Sequence, residues 1–250
     1  MKKIINWKTF AILAGMCAVT SLLVIPYQVA LVPELADMGV FLYINALIQG
    51  IVIFSVATFL GLLLVRKVGF NLPVIEGPDK WESFMAVLRS STIWGFMSGV
   101  LIVLADLGFQ GFSVSLALEE TSVPVWAALM ASFYGGIAEE VLMRLFVMTL
   151  FVWLISFVKK TDEGAPTDWG MWTAILLASI LFGLGHLPLT GALTEITGII
   201  VARAVVLNGI GGVVFGWLYW KKGLASAMIA HFTADIVLHI VTPAIARAFM

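Results

Sequence analysis

Seven apolar runs, each at least as long as the roughly 20 residues that carry a helix across a bilayer, dominate this chain. They fall at roughly 9–31, 39–65, 84–108, 123–158, 169–189, 196–220 and 223–248. A chain so divided has little choice of fold, because in hydrocarbon only helices satisfy every backbone group within one segment, short of a closed barrel. The composition agrees. Of 250 residues, 61% are hydrophobic and 12% are charged, half the charged fraction of about 25% in soluble domains. The expected fold class is all-α: a polytopic transmembrane helix bundle of about 7–8 spans around an intramembrane polar cavity.

The count of 7–8 reflects two irregular places. The fourth run is too long for one straight span, and a break is expected near Gly135-Gly136. The stretch 191–206 reads as a separate short or re-entrant helix before Asn208-Gly209. No linker, repeat or soluble domain interrupts the chain, so residues 1–250 read as a single integral membrane domain. Its partner is the lipid bilayer, and nothing points to nucleic acid.

The connections carry an alternating charge pattern. Lys2, Lys3 and Lys8 precede the first span; Arg66, Lys67 and Lys80 lie in the second loop, Lys159 and Lys160 in the fourth, and Lys221 and Lys222 in the sixth. The first, third and fifth loops have no Lys or Arg, and hold Glu34, Asp37, Glu119 and Glu120. Positive charge collects on the cytoplasmic side, which predicts a cytoplasmic N-terminus in a multi-pass protein of a prokaryotic cell membrane. Arg247 is the one exterior cation. The first run is long for a signal peptide and no clear small-residue cleavage site follows it, so it reads as a retained span.

Beyond the loop charges, ten ionisable residues remain: Arg89, Asp106, Glu139, Glu140, Arg144, His186, Arg203, His231, Asp235 and His239. Arg89 and Asp106 are close enough to span ends to snorkel. Arg203 reads as a helix-end or packing residue, and His239 as hydrogen-bonded to a neighbouring carbonyl. The rest lie deep, where ionisable groups face a cavity or one another. Glu140 and Arg144 are four apart and pair on one helical face; Glu139 points about 100° away, as the helical period dictates. Phe182 and His186 are four apart, and His231, Asp235 and His239 repeat at the same interval. Three polar stripes on three helices are expected to meet in one cavity.

A carboxylate and a histidine in a partly dry pocket can activate water, and a second histidine with an Asp can line a site for a developing oxyanion. The same residue types can ligate zinc, although no HExxH pattern is present. No serine stands in a GxSxG elbow, and the single cysteine, Cys17, sits in the first span as a small apolar residue. Two other readings compete with hydrolysis. One is a proton-coupled membrane transporter, which predicts inverted repeats that the sequence does not contain. The other is a non-catalytic membrane scaffold.

The motifs EEVLMR (139–144), FGLGH (182–186) and HFTAD (231–235) fit EExxxR, FxxxH and HxxxN/D in order. With the segment 212–235, they make residues 120–240 resemble the CAAX-protease and bacteriocin-processing (Abi) family of intramembrane endopeptidases. The spans in 1–115 match only in being transmembrane. The resemblance implies a hydrolase whose Glu139 and His186 activate the water that cleaves a peptide bond. His231 and Asp235 would line the oxyanion site, and Glu140 and Arg144 would support the architecture. No cofactor is required on that mechanism; zinc is the alternative, with Glu139, His186 and His231 as its ligands. The implied substrate is a membrane-associated peptide or protein, prenylated in the CAAX-processing members, which often carry Asn at the position of Asp235. Bacterial members are linked to bacteriocin maturation or self-immunity.

One conflict arises at this stage. At 1.5 Å per residue, His231 lies about 12 Å from Lys222, whereas Glu139 lies about 30 Å from Lys159 and His186 about 26 Å from Trp169. Straight spans place these groups at different depths. Three remedies are open: a re-entrant 191–206, a deep Lys221-Lys222 turn, or a bent fourth segment.

Overall fold

The structure, a computed structural model, describes residues 5–110 and 123–248. Lys2, Lys3, Glu119 and Glu120 lie outside the described residues. The described chain is helical throughout, apart from short connections. In order, the α-helices are α1 Trp7–Leu23, α2 Ile25–Leu31, α3 Val40–Val65, α4 Pro73–Glu76, α5 Lys80–Gln110, α6 Val125–Tyr134, α7 Thr149–Ile155, α8 Asp168–Gly185, α9 Leu187–Leu193, α10 Gly198–Lys222, α11 Leu224–Asp235 and α12 Thr242–Ala248. Six stretches among the described residues are long and apolar enough to cross a membrane: Trp7–Leu31, Val40–Val65, Lys80–Phe109, Asp168–Leu193, Gly198–Lys222 and Leu224–Ala248. The protein is an all-α, polytopic membrane bundle.

Local chemistry sets the helix boundaries. Asn6 caps α1 by accepting from the backbone N–H of Lys8 and Thr9. Thr167 and Thr197 cap α8 and α10 in the same way. Each cap satisfies an amide that the first helical turn leaves without a partner. Gly223 takes φ +89° between α10 and α11, a left-handed conformation that a glycine adopts without strain.

The fourth expected span differs from its sequence reading. Gly135-Gly136 does not break it. The backbone stays helical from Val125 to Ile155 but widens into π-helix over Gly135–Glu139 and again over Val141–Met148. A third π-helical stretch, Ile236–Val241, follows Asp235. π-Helical turns are rare and concentrate at functional sites.

The separate element expected at 191–206 is also not found. The short helix is instead α9, directly after His186, and α10 begins at Gly198 and runs unbroken through Asn208-Gly209 to Lys222. The side-chain amide of Asn208 donates to the Ala204 carbonyl, so its polar group is satisfied within the helix.

The depth conflict is resolved by the Lys221-Lys222 turn. Lys222 Nζ donates to Ser90 Oγ at 2.6 Å, and Ser226 Oγ hydrogen-bonds Ser91 Oγ at 2.7 Å. Ser90 lies ten residues into α5, about 15 Å below its start. The turn is therefore sunk into the bundle, which lowers His231 by the missing distance. The segment around α4 folds in over it: a Cβ on Gly223 would stand 3.0 Å from Pro73 Cδ and 3.1 Å from the Asn71 carbonyl.

That same end of the bundle holds the basic connections. Thr9 Oγ1 donates to Glu76 Oε1 at 2.9 Å, and Arg66 pairs with Glu76 at 3.5 Å. Lys67 Nζ lies over the Trp153 ring, 5.3 Å from its centroid. The start of α1, the α3–α5 connection, the end of α7 and the α10–α11 turn thus gather together.

Candidate active site

Glu140 is fully buried in the middle of the helical stretch 125–155. A carboxylate there must be paired. Its Oε2 lies 3.3 Å from Arg144 Nε, as the four-residue spacing predicts. Its Oε1 accepts from His231 Nδ1 at 2.7 Å, a contact between distant helices that spacing alone does not reveal. The Arg144–Oε2 pair lies within ion-pair distance but is not aligned as a hydrogen bond, and Nη1 and Nη2 of Arg144 find no hydrogen-bond partner among the described residues. Aromatic rings take the rest of the guanidinium: Phe182 and Phe215 lie 5.0 and 5.5 Å from it. Ring faces attract such a cation.

Phe182 explains the spacing in FGLGH. Its ring meets His186 edge-on at 4.8 Å and His231 at 5.6 Å while also bordering Arg144. One aromatic side chain therefore locates three ionisable ones. His186 caps the end of α8, where its Nδ1 lies 2.8 Å from the Phe182 carbonyl. With Nδ1–H donating there, Nε2 is left as the acceptor, since the bond made by one ring nitrogen fixes the state of the other.

His231 is the hub. Phe215 stacks on it at 4.7 Å and 22°. Its Nε2 lies 3.5 Å from Asp235 Oδ1 and 3.7 Å from Glu139 Oε2. Asp235 Oδ1 also lies 3.9 Å from His239 Nε2, and His239 Nδ1 is 3.1 Å from the Tyr27 hydroxyl. Hence a polar chain runs from α2 through His239, Asp235 and His231 to Glu140 and Arg144.

Glu139, His186, His231 and Asp235 all line one cavity of about 690 Å³. Its wall is mostly apolar, as in most small-ligand sites. The three stripes therefore meet, as expected. Glu139 retains side-chain exposure of 22%, against 6% for His231 and 10% for Asp235, and so has freer access to the cavity than either. Among the described residues, no group of three His, Cys, Asp or Glu side chains is arranged to hold a metal ion; the set Glu139, His186 and His231 does not form one.

Several lining residues escaped the sequence reading. Tyr27, Tyr134 and Phe215 border the cavity without belonging to any spaced motif. Asp106 does not snorkel alone, and Arg203 is not merely a packing residue: the two pair at 2.7 Å across α5 and α10, and both line the cavity. His239 bonds the Tyr27 hydroxyl. Gly135, read only as a break, is a point of close approach. A Cβ there would stand 2.3 Å from Asp235 Oδ2 and 3.2 Å from His231 Nε2. Gly135→Ala is accordingly expected to push Asp235 aside and to lower cleavage about 100-fold, the scale of a 1 Å misplacement, with membrane insertion intact. An assay of the purified variant at wild-type rate would mean that the carboxylate can move without consequence.

With this geometry in view, residues 120–237 match the family described as type II CAAX prenyl endopeptidase Rce1-like. Over this segment the chain is similar to the Rce1-like family. No curated protein and no solved structure matches it. A likeness to CAAX-type intramembrane proteases is in keeping with the bundle of membrane-length helices. All four cavity-lining candidates fall inside the matched segment. Tyr27, Asp106 and His239, which complete the cavity wall, fall outside it.

Proposed function

We propose that this Rce1-like protein hydrolyses a peptide bond of a membrane-associated protein with water activated by Glu139 and His186. The observation that carries the reading is the convergence of Glu139, His186, His231 and Asp235 on one largely apolar cavity. Glu139 is the base. Its carboxylate takes a proton from water, whose oxygen attacks the scissile carbonyl. His186, anchored through Nδ1 to the Phe182 carbonyl, accepts from the same water through Nε2 and aims its lone pair. The carbonyl π electrons move to oxygen, and His231, acting as the imidazolium with Nδ1–H held by Glu140, donates from Nε2–H to the oxyanion, a contact that strengthens as charge develops. Glu139 then hands its proton to the departing amine as the C–N bond breaks.

Glu140 and Arg144 act behind this centre. Glu140 fixes the His231 ring through Nδ1, and Arg144 balances the buried carboxylate. Asp235 orients the other edge of His231 and carries the link to His239. No step above runs through a metal ion. On the favoured mechanism no cofactor is needed. The substrate class is CAAX-type or bacteriocin-related, and prenylation is one of its candidate features.

A terminomic comparison tests the proposal. Membranes from cells expressing the wild type, Glu139→Gln and His186→Ala are compared at equal protein level, and new protein termini are read by mass spectrometry. Termini that appear only with the wild type are expected. Wild-type-like termini from both variants would refute water activation by this pair.

A further inference from the structure

We infer that the buried Tyr219–Thr149 hydroxyl pair holds the angular setting of the π-helical stretch that carries Arg144, and that Thr149 and Tyr219 are thereby positioning residues for the cleavage chemistry. The second clause rests on the protease reading above; the first does not.

The reach of a hydroxyl separates the π-helical stretches from the α-helices around them. A serine or threonine inside an α-helix turns its hydroxyl back to the carbonyl four residues earlier. Ser132, Ser179 and Thr233 do so, bonding Ala128, Ile175 and Ile229. Thr149 directly follows the π-helical stretch Val141–Met148, and its Oγ1 donates five residues back, to the Arg144 carbonyl at 2.9 Å. Thr242 stands in the same place after Ile236–Val241 and donates to the Val237 carbonyl at 2.8 Å, again five back. Five is the interval of the π-helix itself. Each threonine thus closes a wide turn through its side chain at the point where α-helix resumes.

The first of these closures is also tied to a second helix. Thr149 Oγ1 lies 2.9 Å from the Tyr219 hydroxyl of α10, and both residues are almost completely buried. A hydroxyl has one proton to give. Thr149 gives its own to the Arg144 carbonyl, so Tyr219 is the donor between the two oxygens. The bonds run in one direction, from the Tyr219 O–H through Thr149 to the Arg144 carbonyl, an order in which each bond strengthens the next.

α10 therefore holds Arg144 at two points. Phe215, four residues before Tyr219, borders the guanidinium and stacks on His231. Tyr219 reaches the backbone of the same arginine through Thr149. Glu140 depends on both holds, since it pairs with Arg144 and accepts from His231 Nδ1. A π turn that relaxed to α-helix would rotate Arg144 and Glu140 about the helix axis relative to Thr149. Glu140 would then turn away from His231, and the imidazole would lose the bond that orients it.

Nuclear magnetic resonance of the full chain in detergent, with isotopically labelled histidine, tests the first clause. Each imidazole N–H is assigned by replacing its histidine with glutamine, and the His231 Nδ1–H bonded to Glu140 is the reporter. Thr149→Val keeps the shape of the side chain and removes the hydroxyl; Thr149→Ser keeps the hydroxyl. Thr149→Val is expected to move the His231 signal. It is also expected to lower kcat about 100-fold, the scale of a 1 Å misplacement, with KM unchanged, on a peptide spanning a Glu139-dependent terminus. Thr149→Ser is expected to keep the signal and kcat of the wild type. Tyr219→Phe should change both in the same sense as Thr149→Val and by less, since the bond to the Arg144 carbonyl remains. An unmoved His231 signal in Thr149→Val, or a Thr149→Ser as altered as Thr149→Val, overturns the inference. Should Thr149→Val fail to fold, as judged by thermal unfolding, an unmoved signal in Tyr219→Phe overturns it instead. A moved signal with wild-type kcat upholds the first clause and overturns the second. No Glu139-dependent termini at all would remove the protease reading, and the second clause with it, while leaving the resonance result standing.

Discussion

Glu139→Gln is expected to insert and fold as the wild type does while cleaving about 10²–10⁴ times more slowly, the usual worth of a positioned general base. The amide keeps the shape of the carboxylate and can still hydrogen-bond, so the cavity remains filled as before. What it loses is the ability to take a proton from water. Its partial exposure beside His231 means that neutralising it leaves no buried charge without a partner. Stability and catalysis should therefore separate at this residue. The decisive measurement is the single-turnover rate on a fixed substrate alongside thermal unfolding in detergent. A Glu139→Gln protein that cleaves at the wild-type rate would remove Glu139 from the chemistry, whatever its place in the cavity.

Arg144→Ala should behave in the opposite way. Arg144 is almost fully buried, as is Glu140. Removing the guanidinium leaves a carboxylate in the bundle with His231 alone to balance it, and also empties the space between Phe182 and Phe215. Breaking a buried ion pair by deleting one partner costs about 3–5 kcal/mol. Thermal unfolding in detergent should show that loss as a lower midpoint, together with reduced membrane yield. Combining Arg144→Ala with Glu140→Gln should recover part of it, because the unpaired charge is gone. An Arg144→Ala protein as stable as the wild type would mean that the pair contributes nothing to the fold.

The fold and the candidate site differ in how much of them the sequence carries. Apolar runs place the helices because hydrocarbon leaves the backbone no alternative. The four-residue spacings place Glu140 with Arg144, Phe182 with His186, and His231 with Asp235, because each pair is local to one helix. Contacts between helices are not legible in this way. Nothing in spacing joins Glu140 to His231, Asp106 to Arg203 or Tyr27 to His239, because each needs two helices to be set at a given depth and rotation. Depth was left open at one place: two adjacent lysines ordinarily mark a turn at a membrane surface, a deep turn was one of three remedies, and here the turn is drawn about 15 Å inward to bond Ser90. The glycine pair at 135–136 carried a signal, but an ambiguous one, since the same residues serve a break and a close approach.

The two π-helical stretches at 135–139 and 141–148 have a bearing on how this chain can vary. A π turn accommodates one more residue than an α turn before its hydrogen bond closes. Losing or gaining a residue there does not shorten or lengthen the helix so much as twist one part of it about its axis relative to the other. Glu139 and Arg144 would then face different neighbours, although each would keep its identity and both its flanking sequences. In the 159–167 connection the same change would alter only slack. Across 135–148, residue number acts as an angular coordinate, and its count is as much a part of the site as its side chains.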